Sequence, residues 1–150
     1  MKLILLSGGS GKRLWPLSND ARSKQFLRVL ENEQGTLVSM VQRVWSQLDA
    51  SGLSESSYIA TGKSQVEIMR SQVGADVPLI VEPERRDTFP AIALAATYLY
   101  SIQGVSLDEV VTILPVDPYV DNHFFETVRS LEDAIEESNA DLALIGVEPT

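Results

Sequence analysis

Short apolar runs alternate with amphipathic stretches along the whole chain. Lys2–Leu6 is an aliphatic run that breaks into Ser7-Gly8-Gly9-Ser10-Gly11, which predicts a buried strand feeding a tight, glycine-rich loop. Leu37, Met40, Val41, Val44, Trp45 and Leu48 follow i, i+3, i+4, i+7 spacing, so residues 36–48 are expected to form a helix with one buried stripe. A second strand is read at 58–61, a short helix at 64–73 with Val66, Met69 and Val73 inward, and a third strand at 78–81. Residues 89–102 are apolar nearly all round, which predicts a helix covered on most sides. Thr88 is its expected N-cap, and Pro90 fits the first turn, where a missing N–H costs nothing. A fourth strand is expected at 110–114. Phe124, Val128, Leu131 and Ile135 space a further helix with Asp121 or Asn122 as cap, and a fifth strand is expected at 142–146.

The strands are continuous apolar runs rather than alternating ones, and they take turns with helices. That combination predicts an α/β fold of the Rossmann-like, doubly wound type, a mostly parallel sheet covered on both faces. Ligands bind such sheets beyond the carboxyl ends of the strands, here the residues after Leu6, Thr61, Val81, Leu114 and Gly146.

Composition narrows the chemistry. With 150 residues and 44% hydrophobic content the chain can bury a core of its own. The absence of cysteine removes disulfides, thiolate metal sites and cysteine nucleophiles, and fits a cytoplasmic setting. No apolar run approaches the ~20 residues of a membrane helix, so no membrane partner is expected. The net charge of −9 is unevenly spread: residues 1–107 hold 11 bases against 10 acids, whereas residues 108–150 hold Arg129 alone against 11 acids. Lys12, Arg13, Arg22, Lys24 and Arg28 gather just after the glycine loop. So small a cluster suits a phosphorylated small molecule, not a nucleic acid.

Gly8-Gly9-Ser10-Gly11-Lys12-Arg13 matches neither common phosphate motif. A P-loop needs glycine where Leu6 stands and Ser or Thr where Arg13 stands; the dinucleotide fingerprint needs glycine where Leu14 stands. Its physics still suits phosphate, because glycines let backbone N–H groups approach closely while Lys12 and Arg13 supply charge.

The continuation is more specific. Leu6-Ser7-Gly8-Gly9-Ser10-Gly11-Lys12-Arg13-Leu14-Trp15-Pro16-Leu17-Ser18 resembles the signature of sugar-1-phosphate nucleotidyltransferases. With Lys24-Gln25-Phe26-Leu27 it is most similar to the mannose-1-phosphate guanylyltransferases. Three further segments match in order: Glu82 to Ala93, Leu114-Pro115-Val116-Asp117, and Gly146-Val147-Glu148-Pro149-Thr150.

The resemblance implies transfer of a nucleotidyl group from GTP to mannose 1-phosphate, giving GDP-mannose and pyrophosphate, with Mg²⁺ as cofactor. It implies that Arg13 and Lys24 are catalytic, Arg13 on the leaving phosphates and Lys24 near the α-phosphate. Gly8, Gly9, Gly11 and Lys12 would cradle phosphate; Glu82, Pro83, Arg86, Asp87 and Thr88 would line the base and ribose; Asp117 would hold the metal. A carboxylate at Glu82 can accept from the guanine N1–H and amine, which adenine cannot satisfy.

Three positions depart from the family pattern. Ser23 replaces a proline, which is expected to loosen the loop carrying Lys24. Asp87 replaces an asparagine, which calls for pairing with Arg85 or Arg86. Pro118 replaces a histidine and stiffens the turn after Asp117. Residues 1–150 read as the N-terminal part of a catalytic domain, expected to bind nucleotide without turnover, and to self-associate as a homo-oligomer if a face is left open. Alternatives are another sugar-1-phosphate nucleotidyltransferase, using dTTP, UTP or ATP, and a non-catalytic nucleotide-binding regulatory module.

Overall fold

A computed structural model of the chain describes residues 1–9, 16–18 and 23–146. β1 (Lys2–Leu6) lies inside a parallel sheet, with β4 (Ser57–Gly62) on one side and β6 (Val111–Pro115) on the other. β5 (Leu79–Glu82) completes the order β5-β4-β1-β6. Leu3, Ile4 and Leu5 are fully buried, because alternate side chains of a central strand point into both layers. Leu3 and Leu5 face a core built from α1 (Met40–Ala50), α2 (Val66–Val73) and α4 (His123–Ser138). Ile4 faces the other way, onto Ala95 and Leu99 of α3 (Thr88–Ser101). The doubly wound α/β architecture expected from the sequence is therefore present.

The crossovers fix where a ligand can sit. α1 and α2 carry the chain from β1 to β4 and on to β5 over one face; α3 returns it over the opposite face to β6, on the far side of β1. The order of strands reverses between β1 and β6. Beyond the carboxyl ends of these two strands lies the crevice that doubly wound sheets use for ligands.

Several elements differ from the sequence reading. The helix expected from residue 36 starts at Met40, because Ser39 and Gln42 close a reciprocal capping box. Residues 37–38 instead pair antiparallel with 30–31, as the short ribbon β2 (Leu30–Glu31) and β3 (Leu37–Val38). α3 is capped by Asp87, whose carboxylate accepts from the Thr88 N–H at 2.9 Å, so Thr88 is the first helical residue and not the cap. α3 is also covered on one side only. Ala91, Ala95 and Leu99 are buried, while Phe89 is 78% exposed. An apolar composition shows what a helix tolerates, not how many neighbours it has. At α4, Asn122 holds the N-cap position without a side-chain capping bond, and Asp121 accepts from the Phe124 N–H at 3.2 Å.

The fifth strand expected at 142–146 does not form. Ile145 packs against the core and Leu144 is 81% exposed, so the segment keeps strand-like alternation. It has no ladder partner among the described residues: the sheet consists of β5, β4, β1 and β6. Hydrophobic spacing can favour an extended segment, but a strand also needs a neighbour's N–H and C=O groups.

Candidate functional site

Four strand ends meet on one edge of the sheet. Ser7-Gly8-Gly9 follows β1, Gly62 ends β4, Glu82 ends β5, and Asp117 lies just past β6. The turn Lys24–Phe26 reaches the same edge, where Lys24 forms an ion pair with Asp117. The two groups are 93 residues apart in sequence, and both side chains remain about one-third exposed. The expected phosphate cation and the expected metal carboxylate are thus neighbours, each neutralising the other.

Glu82 forms a second focus. It is only 5% exposed, and its Oε1 is buried without a hydrogen-bond partner. Burial pushes its carboxyl above the usual carboxylate range, against the pull of Arg85. Gly8 has a specific reason to be glycine here: a Cβ at that position would stand 3.1 Å from the orphan oxygen. Gly9 has open space around it. A cleft of about 400 Å³ adjoins Glu82, lined by Pro83, Glu84, Arg86, Pro90 and Leu94.

The two foci are joined by buried glutamines. Gln25 donates to the Ser7 carbonyl at 3.0 Å. Gln65, fully buried after β4, sets one arm of its amide 2.6 Å from both Arg85 Nη2 and Ser23 Oγ and the other 3.0 Å from the same Ser7 carbonyl; assigning oxygen to the first arm and nitrogen to the second satisfies all three. Ser23 is fully buried and held by this contact at the start of the Lys24 turn.

Among the remaining predicted residues, Arg86 pairs with Glu84 at 2.8 Å on the surface, and neither arginine is paired with Asp87. Asp87 is exposed and adopts φ 70°, ψ −170°, a conformation that normally belongs to glycine. Pro83 and Thr88 are exposed beside it. Gly11, Lys12 and Arg13 lie outside the described residues. His123 is exposed and bonded to Glu126, as a surface residue should be.

Sequence reasoning missed Gln65 and two residues of α1, and named Arg85 only as a partner for Asp87. Arg43 donates to the Val120 carbonyl at 2.5 Å and stacks over Tyr119, 4.1 Å from the ring centroid. Gln47 donates to the Val120 carbonyl and to Asn122 Oδ1, both at 3.0 Å. Together they hold the segment that follows Asp117. Their sequence signal is a polar pair at i, i+4 beside the buried stripe of α1, which resembles an ordinary solvated face.

Among the described residues no three His, Cys, Asp or Glu side chains cluster as a ready-made metal cage. A Mg²⁺ ion would take one or two carboxylates together with substrate phosphates and water. Asp117, partly exposed at the switch point, fits that role. No helix among the described residues is long and apolar enough to cross a membrane.

A parallel sheet with a glycine loop, a lysine and an aspartate at its switch point describes a nucleotide-handling α/β domain. The chain belongs to the nucleotidyl transferase family, whose model matches residues 2–150. It is 33% identical to a mannose-1-phosphate guanylyltransferase of Escherichia coli, over 98% of this chain and 31% of that protein. It is 32% identical to the mannose-1-phosphate guanylyltransferase RfbM of Salmonella typhimurium, over 98% of this chain and 30% of the relative. The chain thus spans about a third of the length of these relatives. A crystal structure from Thermus thermophilus, described as a mannose-1-phosphate geranyltransferase, superposes with a TM-score of 0.73 at 28% identity. That match covers 91% of this chain and 38% of the other.

Proposed function

We propose that this chain forms the nucleotide-binding part of an enzyme that transfers a guanylyl group from GTP to mannose 1-phosphate. The observation that carries the reading is the Lys24–Asp117 pair at the switch point between β1 and β6. In the reaction a sugar-phosphate oxygen forms a bond to the α-phosphorus, and the bond to the bridging α–β oxygen breaks, releasing pyrophosphate. Positioning and charge neutralisation dominate such chemistry. Lys24 offsets charge building at the α-phosphate; at an effective dielectric of ~20 one charge pair at 4 Å is worth roughly 4 kcal/mol before desolvation. Arg13 holds the departing phosphates through its planar fork. Asp117 would hold Mg²⁺, which neutralises phosphate oxygens when bound. Because Lys24 and Asp117 pair with each other, a nucleotide and its Mg²⁺ would compete with this ion pair.

Glu82 is proposed to select guanine, since its buried Oε1, which has no hydrogen-bond partner, calls for donors of the kind guanine presents. Titrating GTP and ATP with Mg²⁺ tests this: GTP should bind at least tenfold more tightly, and Glu82→Gln should remove most of that preference. Equal affinities in the unaltered chain would remove the role given to Glu82. Lys24→Met should weaken GTP while leaving the fold intact by circular dichroism, and unchanged binding would count against the site. These 150 residues are proposed to bind nucleotide without completing the reaction, because they correspond to only 31% of a full relative. GDP-mannose formation by the purified chain from GTP and mannose 1-phosphate would overturn that statement.

A further inference from the structure

We propose that Gln65 is the positioning residue of this site, a single buried amide that sets the Lys24 turn and Arg85 against the Ser7–Gly8 peptide. The proposal deepens, and rests on, the reading of this sheet edge as a nucleotide site. Gln65 ends the short turn Lys63–Gln65 after β4 and is fully buried. Its three closest contacts go to three different loops. The nitrogen reaches the Ser7 carbonyl, at the root of the glycine loop; the oxygen reaches Ser23, which opens the Lys24 turn, and Arg85, in the loop between β5 and α3. Thr61 Oγ1 lies 3.3 Å from the same amide and secures it from its own strand.

The chemistry of an amide matters here. Ser7 offers a carbonyl and needs a donor, whereas Arg85 is a permanent cation and needs an acceptor. Only a side chain with both, aimed in opposed directions, can serve the two loops at once. The guanidinium fixes which way the amide faces, because the opposite orientation would set an NH₂ group against it. Gln25, by contrast, donates its amide N–H groups to the carbonyl and hydroxyl oxygens of Ser7. Arg85 is therefore the anchored member of the arginine pair, while Arg86 is engaged with Glu84 in solvent.

Two substitutions separate positioning from space filling. Gln65→Leu keeps the bulk and loses every polar contact; Gln65→Glu keeps the acceptor for Arg85 and Ser23 and loses the donor to Ser7. The first readout needs no nucleotide. The N–H groups of Phe26 and Leu27 close the Lys24 turn through Ser23 and Lys24 carbonyls, so their hydrogen exchange reports its order. Gln65→Leu should accelerate both by at least tenfold and broaden the Arg85 Nε–H resonance, with exchange in β4 and β5 unchanged. Gln65→Glu should restore the Arg85 resonance and bring the turn amides back to within about threefold. The second readout is GTP affinity with Mg²⁺, expected to fall at least tenfold in Gln65→Leu and to recover in part in Gln65→Glu. Unchanged turn amides, or equal acceleration throughout the sheet, would overturn the proposal. If the unaltered chain fails to bind GTP, the nucleotide reading falls and the exchange data alone decide the role of Gln65.

Discussion

Two adjacent glycines in the loop after β1 carry different burdens. A methyl group on Gly8 would press on the buried Glu82 oxygen at 3.1 Å, whereas one on Gly9 would enter open space. Gly8→Ala is expected to lower GTP affinity at least tenfold and Gly9→Ala by less than threefold, as isothermal titration can measure. Asp87 makes the converse case, a residue with a side chain where glycine belongs. Backbone strain of this kind costs about 1–3 kcal/mol, while replacing an aspartate cap by glycine loses only a few tenths. Asp87→Gly should therefore raise the denaturation midpoint, and Asp87→Ala, which keeps the strain and loses the cap, should lower it. A fall for both would show that the capping contact outweighs the strain. The sequence located Asp87 but not its backbone: aspartate is common at helix starts, and nothing in its neighbours announces φ 70°.

Elements were legible where one period dominated. β1, β4, β5 and β6 and all four helices lie close to where apolar spacing placed them, because each has a face buried against the sheet. Boundaries set by side-chain hydrogen bonds were less legible, as α1 shows. Ser39 caps α1 and also donates to Gln72 Oε1 of α2 at 2.6 Å. Gln72 in turn donates to the Phe26 carbonyl at 3.0 Å, so one cap links two helices to the Lys24 turn. Ser39→Ala should cost about 1–2 kcal/mol in urea unfolding, at or above the typical cap, because it strands a partner as well. A loss below about 0.5 kcal/mol would show that the linkage is slack. The candidate site was half legible for the same reason. Motif residues such as Lys24, Glu82 and Asp117 stood out by type and position, whereas Gln65 and Arg43 act through contacts that cross the fold.

At the scale of the molecule, the chain start is tied to the approach of β6 and to α4. The Met1 ammonium donates to Glu109 at 2.7 Å and to Glu132 at 2.5 Å, joining β1 to the approach of β6 and to α4. Burial works against the charged amine, yet the two carboxylates win and raise it above its ordinary 8.0. The hydrogen bond to the amine holds Glu109 below its ordinary 4.5, against a smaller effect of burial. A raised amine contributes stability that is complete below pH 8.0 and lost as pH rises through its folded value; a lowered carboxyl contributes above pH 4.5 and loses it in acid. Glu132→Gln should thus lower the melting temperature at pH 7 and flatten its fall above pH 8.0. Parallel alkaline limbs for the two proteins would remove the clamp from the account of stability.

The Ser7 carbonyl, held by Gln25 and Gln65, has an electrostatic consequence at the other end of its peptide bond. A planar trans peptide directs its C=O and the following N–H to opposite sides. Ser7 turns toward β4, where its N–H meets the Ala60 carbonyl, while the Leu6 carbonyl and Val116 N–H face one another across β1 and β6. The Gly8 N–H must therefore project toward β6, over the crevice where strand order reverses. Two amide donors clamp the negative end of this dipole inside the protein, which holds the Ser7–Gly8 peptide in one orientation beside the crevice.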